Sequence, residues 1–410
     1  MWRPVSETEV TTAPRPLLLA DGRPADRAWS LDPALKHLNH GSFGAVPLVA
    51  QERQELLRVE MERSPVVWFP ALPQRLAAAR VELADFLRVS AGDLALVPNA
   101  SAGASVVYAA LTLRPGGEIV VTDHGYGAVT MGAERLARRW GGRVRTARVP
   151  LNADADAAYE AVVAELGDAT ELVVVDQITS ATARRLASAP MRSTGSRRGI
   201  PVLVDGAHAP GLLDAPLADA TYDVWTGNLH KWGCAPRGTA ALVARGPLRE
   251  RLHPLIDSWA AADPYPDRFD QQGTIDATSY LAAPTSLGFI ERTWGWPAAR
   301  RYMDDLADYG ASVIGAAVTG LTGADSAVDV GMPVPGMRLV RLPDGLASDR
   351  VEADALRDRV ALELGVEAAF TSFDGIGYMR LSAHIYNTAA DYEYFAEECV
   401  PALGKWARGN

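Results

Sequence analysis

A lysine between apolar residues is the side chain of this sequence best suited to covalent chemistry. Lys231 lies in the segment WTGNLHKWG at 225–233, between His230 and Trp232 and close to Leu229. Apolar surroundings remove water from an amine, which lowers its pKa and makes it nucleophilic toward an aldehyde. A surface lysine whose stem packs on its neighbours is the alternative.

Two further reactive groups lie in the segment VDGAHAPG at 204–211, whose small residues leave room for a flat molecule. The carboxylate of Asp205 can hold the proton of a pyridinium nitrogen, and the imidazole of His208 can reach a phenolic oxygen. The alternative is an aspartate that caps the next turn and a histidine with partners in the core. The segment alone does not separate these interpretations.

Two earlier loops offer a phosphate site and a stacking ring. NASAG at 99–103 opens a helix, where free N–H groups of Ala100 and Ser101 would suit a phosphate. TDHGYGA at 122–128 contains Tyr126, whose ring could lie flat on an aromatic ligand. A plain helix cap and a core tyrosine are the alternatives. The order of the four loops is therefore more informative than any one of them.

Short apolar runs predict the sheet that would hold these loops. Several runs are almost continuous valine, isoleucine and leucine, as expected for parallel strands buried on both faces. The predicted strands are Leu94–Val97, Glu118–Thr122, Arg143–Val149, Leu172–Asp176, Val202–Asp205, Asp223–Thr226 and Thr239–Val243. Helices between them predict an α/β fold, in which ligands bind at the carboxyl ends of the strands.

The chain is long enough, at 410 residues, for a large domain and a smaller one. We expect an N-terminal segment at 1–46 that reaches the active site, a large domain at 47–320 and a small α+β C-terminal domain at 321–410. Helices are predicted at 47–63, 71–88, 276–293, 296–320 and 351–364, with a last helix from about Ala390. Tail strands are predicted at 337–342 and 378–382.

Composition limits the partners of the protein. The 50 acidic and 40 basic residues give a net charge of −10, so we expect no nucleic-acid partner. No basic amphipathic stretch and no apolar run of spanning length predicts a membrane partner. The two cysteines, Cys234 and Cys399, make no disulfide framework and fit no zinc ribbon, so we expect no metal site and a cytoplasmic location.

Five segments together resemble the signature segments of the class-V aminotransferase family, and within it the isopenicillin N epimerase-like branch. They are LNHGSFGAVP at 38–47, TDHGYGA, VDGAHAPG, GNLHKW and RLSAHIYNT at 380–388. The resemblance implies a fold-type-I enzyme that depends on pyridoxal 5′-phosphate (PLP). Its large, mainly parallel sheet domain would bind the cofactor, beside a smaller α+β C-terminal domain. An amino-acid substrate and a homodimer with shared active sites are also implied.

The resemblance implies a role for each matching residue. Lys231 would be the catalytic residue that binds the cofactor covalently. The other implied cofactor-binding residues are Ala100, Ser101, Tyr126, Thr179, Asp205, His208, His230, Gly273 and Thr274. In that set Asp205 would bind the ring nitrogen, whereas Gly273 and Thr274 would reach the phosphate of the neighbouring subunit. Arg380 would bind the substrate α-carboxylate, with Asn39 and His40 facing the substrate.

Departures from the family pattern bear on the reaction. A desulfurase needs a thiolate on a mobile loop of the small domain, but residues 321–398 contain no cysteine, which argues against persulfide chemistry. In DQITSATARR at 176–185, Gln177 stands where many relatives have histidine and Ala183 where many have glycine. Contacts near the pyridine face and the substrate side chain are therefore left open.

The reaction type is predicted from what each reaction demands of the site. Epimerisation needs a second proton donor on the far face from Lys231; His40 is a candidate, and a histidine that tethers the backbone is the alternative. Elimination needs only a leaving group at Cβ and a proton for it. We therefore favour a C–S lyase or related tailoring reaction on a cysteine-derived substrate in secondary metabolism. Epimerisation, transamination and decarboxylation are the alternatives, and a non-catalytic relative would have no need of Lys231, Asp205 and Arg380 together.

Overall fold

A seven-stranded sheet forms the centre of the larger part of the molecule. The computed structural model describes residues 12–186, 199–218 and 222–409. The strands of this sheet are β2 Leu94–Val97, β3 Glu118–Thr122, β4 Arg143–Ala147, β5 Thr170–Asp176, β6 Val202–Asp205, β7 Val224–Asn228 and β8 Ala240–Ala244. Every predicted strand is confirmed, although β4 ends earlier than expected and β7 continues to Asn228.

The order of the strands brings the predicted ligand loops to one edge. The order is β2-β8-β7-β6-β5-β3-β4. The strands from β7 to β4 pair in parallel, and β8 pairs antiparallel with both of its neighbours. The sheet is therefore mainly parallel and the fold is α/β, as predicted. Because β5, β6 and β7 are adjacent, the residues at their carboxyl ends lie close together.

Successive strand residues supply two apolar cores in alternation. In β5, Val173 and Val175 belong to one core, whereas Leu172 and Val174 belong to the other. Neighbouring residues of a strand point to opposite faces, so burying both faces requires an unbroken apolar run. This explains why most of the predicted strands show no polar alternation, whereas the partly exposed edge strand β4 does.

Helices cover the two faces of the sheet. They are α2 Leu48–Arg63, α3 Pro65–Leu87, α4 Ala100–Ala110, α5 Gly127–Arg139, α6 Ala155–Ala164 and α7 Thr278–Thr293. Residues of α3 and α7 pack in one core, and residues of α4 and α5 pack in the other. Helix α3 begins before its predicted start at 71, because Pro65 fits a first helical turn.

A second, antiparallel sheet lies in the C-terminal part of the chain. It consists of β9 Met337–Arg341, β11 Phe370–Phe373 and β12 Ile376–Ser382, in the order β11-β12-β9. Its helices are α8 Trp296–Thr322, α9 Arg350–Leu364, α10 Ala389–Tyr394 and α11 Val400–Ala407. Leu306, Ile314 and Val318 of α8 pack in the core of this sheet. Packing with the small sheet thus begins before residue 321, and the division at that residue stays a prediction.

The N-terminal segment joins the C-terminal part. Strand β1, Lys36–His37, pairs in parallel with β10, Val366–Glu367, and the one-turn helix α1, His40–Phe43, follows. The first eleven residues of the predicted segment 1–46 lie outside the described residues. No helix in the described part of the chain is long and apolar enough to span a membrane.

Candidate active site

Lys231 lies in the loop after β7, at the carboxyl edge of the large sheet, and is only 8% exposed. Burial and the charge of Arg380 lower the pKa of its amine to about 8, while Asp205 and Asp176 oppose this effect. A lower pKa leaves more of the amine unprotonated at neutral pH. Lys231 therefore has the nucleophilic character that the sequence predicts.

A hydrogen-bond relay through His208 favours the unprotonated form of Lys231. Trp232 Nε1, which can only donate, lies 3.2 Å from His208 Nδ1, and Lys231 Nζ lies 3.1 Å from His208 Nε2. Burial holds the pKa of His208 well below its usual value, so the ring is neutral and has one acceptor nitrogen. Since Nδ1 is that acceptor, Nε2 carries the proton and donates a hydrogen bond to Nζ. The relay therefore favours the unprotonated form of the amine, in the same direction as the lowered pKa of Lys231.

Asp205 offers a buried oxygen that needs a donor. Its Oδ1 accepts a hydrogen bond from the N–H of Ala207 at 2.9 Å, whereas Oδ2 has no partner among the described residues. The residue is 2% exposed, and a buried oxygen without a partner destabilises the fold. A protonated ring nitrogen against Oδ2 would remove that cost. The site therefore fits a pyridinium ligand.

The N-terminus of α4 is the candidate phosphate end, and one expectation there is wrong. Asn99 Oδ1 accepts from the N–H of Ala102 at 2.8 Å and caps the helix, as predicted. The N–H of Ala100, expected to be free, instead donates to Asn228 Oδ1 at 2.8 Å because the end of β7 lies against this turn. Ser101 is half-buried at the same terminus, and its contact with a phosphate stays a prediction.

Close packing explains the glycine of this loop, and His230 borders the same end. A Cβ at Gly103 would lie 2.1 Å from Thr226 Oγ1, so only glycine lets α4 approach β7 this closely. The Nδ1 atom of His230 is 2.9 Å from the carbonyl of Thr239, and burial lowers the pKa of this ring to about 4. With Nδ1 engaged, Nε2 is the nitrogen available to a phosphate.

Tyr126 lies at the start of α5, and its side chain is 41% exposed. Its N–H donates to Asp176 Oδ1 at 3.3 Å. Asp176 is the register partner of Asp205 on the adjacent strand, so both carboxyl groups lie on the same face of the sheet. The ring of Tyr126 is thus available for stacking beside these carboxyl groups, and Asp176 is a residue that the sequence analysis did not single out.

Arg380, on β12, is a buried cation whose hydrogen-bond partners are all uncharged. Nη1 donates to the carbonyl of Ser180 at 2.6 Å and to its hydroxyl at 3.2 Å. Nη2 donates to Asn39 Oδ1 at 3.1 Å and to Ser42 Oγ at 2.8 Å. The residue is 3% exposed, and burial lowers the pKa of its guanidinium to about 10. A buried charge without a counter-charge favours an anionic ligand.

His40 lies behind the Lys231 loop. Its Nε2 is 3.1 Å from the carbonyl oxygen of Lys231, and its Nδ1 is 3.0 Å from Tyr386 Oη. The residue is 3% exposed and burial holds its pKa well below the usual value. These contacts favour the tethering role over the substrate-facing one. Asn39 accepts a hydrogen bond from Arg380, and direct contact of Asn39 or His40 with substrate stays a prediction.

The loop after β5 carries Ser180, which contacts Arg380. The hydroxyl of Thr179 is 2.7 Å from Thr182 Oγ1 and accepts from the N–H of Arg184, and Thr179 is fully buried. These contacts hold the loop that carries Ser180, so the contact of Thr179 with the cofactor stays a prediction. Ser180 could not be predicted from the sequence, because only the fold brings its carbonyl to Arg380.

The two departures in this segment have structural explanations. Gln177 accepts from Trp225 Nε1 at 2.9 Å and donates to the carbonyl of Pro216 at 2.5 Å. It follows Asp176 on the strand and therefore points to the opposite face, away from the carboxyl pair. Ala183 has a φ of 48°, in the left-handed region that favours the glycine of many relatives.

The remaining predicted residues lie on the surface. Gly273 and Thr274 are exposed, and nothing lies within 4 Å of a Cβ built at Gly273.

Cys234 and Cys399 are both buried, and burial raises the pKa of the Cys399 thiol to about 12 and that of the Cys234 thiol further. Neither cysteine is a thiolate at neutral pH, in agreement with the argument against persulfide chemistry.

Comparisons with known proteins agree with this geometry. The sequence profile described as aminotransferase class-V matches residues 71–320. An isopenicillin N epimerase of Streptomyces clavuligerus is 33% identical, over 95% of this chain and 100% of the relative. An L-cysteine desulfhydrase of Arabidopsis thaliana is 24% identical, over 87% of this chain and 85% of the relative. The structure of a cystine C–S lyase with cysteine persulfide has a TM-score of 0.74 at 20% identity, covering 90% of this chain and 97% of that one.

Fold and site thus define a fold-type-I enzyme. The chain belongs to the aminotransferase class-V family, and its cofactor is pyridoxal 5′-phosphate. The unpartnered oxygen of Asp205, the lowered pKa of the Lys231 amine and the exposed ring of Tyr126 all fit that cofactor.

Proposed function

We propose that the protein is a C–S lyase that releases a thiol from an S-conjugated cysteine by β-elimination, in secondary metabolism. The observation that carries the proposal is a buried base, Lys231, whose pKa is lowered by the charge of a buried Arg380 that has no carboxylate partner among the described residues. This combination suits an amino acid whose α-carboxylate is held while a single group moves the proton at Cα.

Arg380 selects and orients the substrate. Its four hydrogen bonds to neutral oxygens fix the guanidinium plane without cancelling its charge. A substrate α-carboxylate supplies the missing negative charge and can be bound by two parallel N–H groups. Holding the carboxylate in one place directs the Cα–H bond toward Lys231.

Lys231 moves the proton. PLP bound at this site supplies a sink for the electrons that remain at Cα. Lys231 Nζ takes the Cα proton, the Cβ–S bond breaks, and its electron pair leaves with sulfur. The same ammonium then gives its proton to the thiolate. With one water the overall products are a thiol, pyruvate and ammonium, while Asp205 keeps the ring nitrogen protonated.

Epimerisation is the second candidate, favoured by the identity of 33% and 30% with isopenicillin N epimerases. It requires a second proton donor on the face opposite Lys231. His40 is a poor donor, because both of its ring nitrogens have partners behind the loop. The contacts of His40 therefore support elimination over epimerisation.

Incubation in heavy water separates the reactions. The enzyme is given S-substituted cysteines, isopenicillin N and ordinary amino acids, with and without a keto acid. Thiol and pyruvate support elimination, deuterated racemic substrate supports epimerisation, and a new amino acid only with the keto acid supports transamination. Lys231→Ala should abolish both product and the visible absorption of the bound cofactor, whereas the exposed Lys405→Ala should change neither.

We also propose that two chains share their active sites in a cytoplasmic homodimer. Gly273 and Thr274 lie on an exposed loop, where they can reach the phosphate of a second chain. More than half of the surface of several apolar side chains is exposed as well: Leu56, Val59, Val66, Val67, Leu255, Ile256 and Trp259. Burying them in a dimer would remove apolar surface from water.

Mixing two inactive variants tests the shared site. Lys231→Ala lacks the base, and Thr274→Asp places a negative charge against the phosphate. A mixed dimer contains one site with an intact Lys231 and an intact Thr274, so activity returns on mixing. Absence of recovery, with dimers seen by sedimentation, would contradict a shared site.

A further inference from the structure

Two buried carboxyl groups lie side by side at the carboxyl edge of the large sheet. Asp176 ends β5 and Asp205 ends β6, and the two residues are register partners in parallel strands. Such strands are about 4.8 Å apart, and paired residues point to the same face. Asp176 is 4% exposed and Asp205 is 2% exposed. Two carboxyl groups this close together and this deeply buried cannot both be ionised unless nearby positive charges offset their repulsion.

The described residues around the two carboxyl groups supply little positive charge to offset this repulsion. Lys231 is the only basic side chain among the described residues whose charge reaches both carboxyl groups, and one ammonium offsets the charge of one carboxylate only. Tyr108 also faces the pair, but its hydroxyl donates to the carbonyl of Val129. A pyridinium nitrogen would neutralise one carboxylate only. One of the two acids must therefore hold a proton.

The contacts indicate which acid holds the proton. Asp205 has the stronger main-chain donor, at 2.9 Å, and an unpartnered Oδ2 suited to a cationic ring nitrogen. The bond that Asp176 accepts from the N–H of Tyr126 is longer, at 3.3 Å. Burial and then the charge of Asp205 raise the pKa of Asp176 well above its usual value, whereas Lys231 lowers it. The proton is therefore held by Asp176.

We propose that Asp176 is a positioning residue for the cofactor: as a neutral acid it leaves Asp205 as the only carboxylate facing the ring nitrogen, and its Oδ1 fixes the main chain of Tyr126. The inference rests on the proposed stacking role of Tyr126 and on the cofactor site. It does not depend on which reaction follows.

Two substitutions separate a neutral acid from a carboxylate. Asp176→Asn keeps a neutral group of the same shape and an oxygen for the Tyr126 N–H, whereas Asp176→Ala removes both. Affinity for PLP is measured by titrating the apoprotein at pH 7. The Asn variant should bind within about twofold of wild type, and the Ala variant about fivefold or more weakly, as expected for one lost hydrogen bond. Equal weakening in both variants would show that a carboxylate is needed and would overturn the proposal.

Melting of the apoprotein provides a readout that a purely steric role would not move. A carboxyl group with a raised pKa in the folded state stabilises the fold at low pH, and that contribution is lost as pH rises through the raised pKa. Asp176→Asn should therefore flatten the fall in melting temperature with rising pH. Asp154→Asn, at an exposed helix cap that accepts from Ala157, should keep the wild-type fall. An unchanged fall in Asp176→Asn would overturn the proposal, whereas absence of thiol release would affect only the proposed reaction.

Discussion

Replacing Trp232 with phenylalanine should make Lys231 a weaker nucleophile without touching the lysine. Trp232 donates its indole N–H to His208 Nδ1 and so forces the proton of that ring onto Nε2. Phenylalanine removes the donor and keeps an aromatic ring in the same place. His208 can then carry its proton on Nδ1, and Nε2 becomes an acceptor for a protonated Lys231.

The size of the effect follows from the bond that becomes available. A hydrogen bond to a charged group contributes about 1.5–3 kcal/mol, and one pKa unit corresponds to about 1.4 kcal/mol. The pKa of Lys231 should therefore rise from about 8 to between about 9 and about 10. At pH 7 an increase of one in pKa leaves about tenfold less unprotonated amine.

The rate at which PLP attaches to the apoprotein reports this pKa. Growth of the visible absorption band is followed at a series of pH values, and the midpoint of the rate against pH gives the pKa of the amine. The variant should react about 10- to 100-fold more slowly than wild type at pH 7 and at the same rate once pH exceeds both pKa values.

Trp294→Phe is the matched control. It also removes an indole N–H bond, to the carbonyl of Leu18 at 2.7 Å, but has no contact with His208. Its midpoint should equal that of wild type. A Trp232→Phe variant that folds normally and keeps the wild-type midpoint would refute the relay and the unprotonated state that it assigns to Lys231.

Three further predictions test other parts of the site. Arg380→Lys loses the planar donor pair and should raise KM by about 10- to 100-fold, with a smaller change in kcat, measured by steady-state kinetics on the preferred amino acid. Gly103→Ala places a Cβ 2.1 Å from Thr226 Oγ1 and should cost about 1–3 kcal/mol of stability and weaken PLP binding; Thr226→Ala should recover part of both in denaturant and cofactor titrations. Cys234→Ala and Cys399→Ala should keep thiol release, and loss of product in either variant would revive a persulfide route.

Residues at strand ends could be predicted from the sequence because their positions depend on local pattern. Asp205 was predicted because an apolar run ends at it and small residues follow. Lys231 was predicted because it lies among apolar residues just after another such run. The same local pattern gave the lengths of most strands and helices. The prediction of a free N–H at Ala100 was wrong, because that amide donates to Asn228. Strand pairing brings Asn228 to the helix, and a local sequence pattern does not encode strand pairing.

Contacts between distant parts of the chain could not be predicted. Asp176 matters because of its register with Asp205, and register depends on how whole strands pair. The partners of Arg380 are separated from it by 200 positions at Ser180 and 338 at Ser42. No periodicity or motif in a single sequence encodes such distances.

The pairing of β1 with β10 and the contacts of Ser42 with Arg380 give the site an order of assembly. A chain being synthesised already holds every strand of the large sheet, and Lys231, once residue 244 has been added. The bond between Ser42 and Arg380 must wait for more than a hundred further residues. Contacts this far apart in sequence form late. The growing chain therefore contains Asp205 and Lys231 well before the contacts of Arg380 can form.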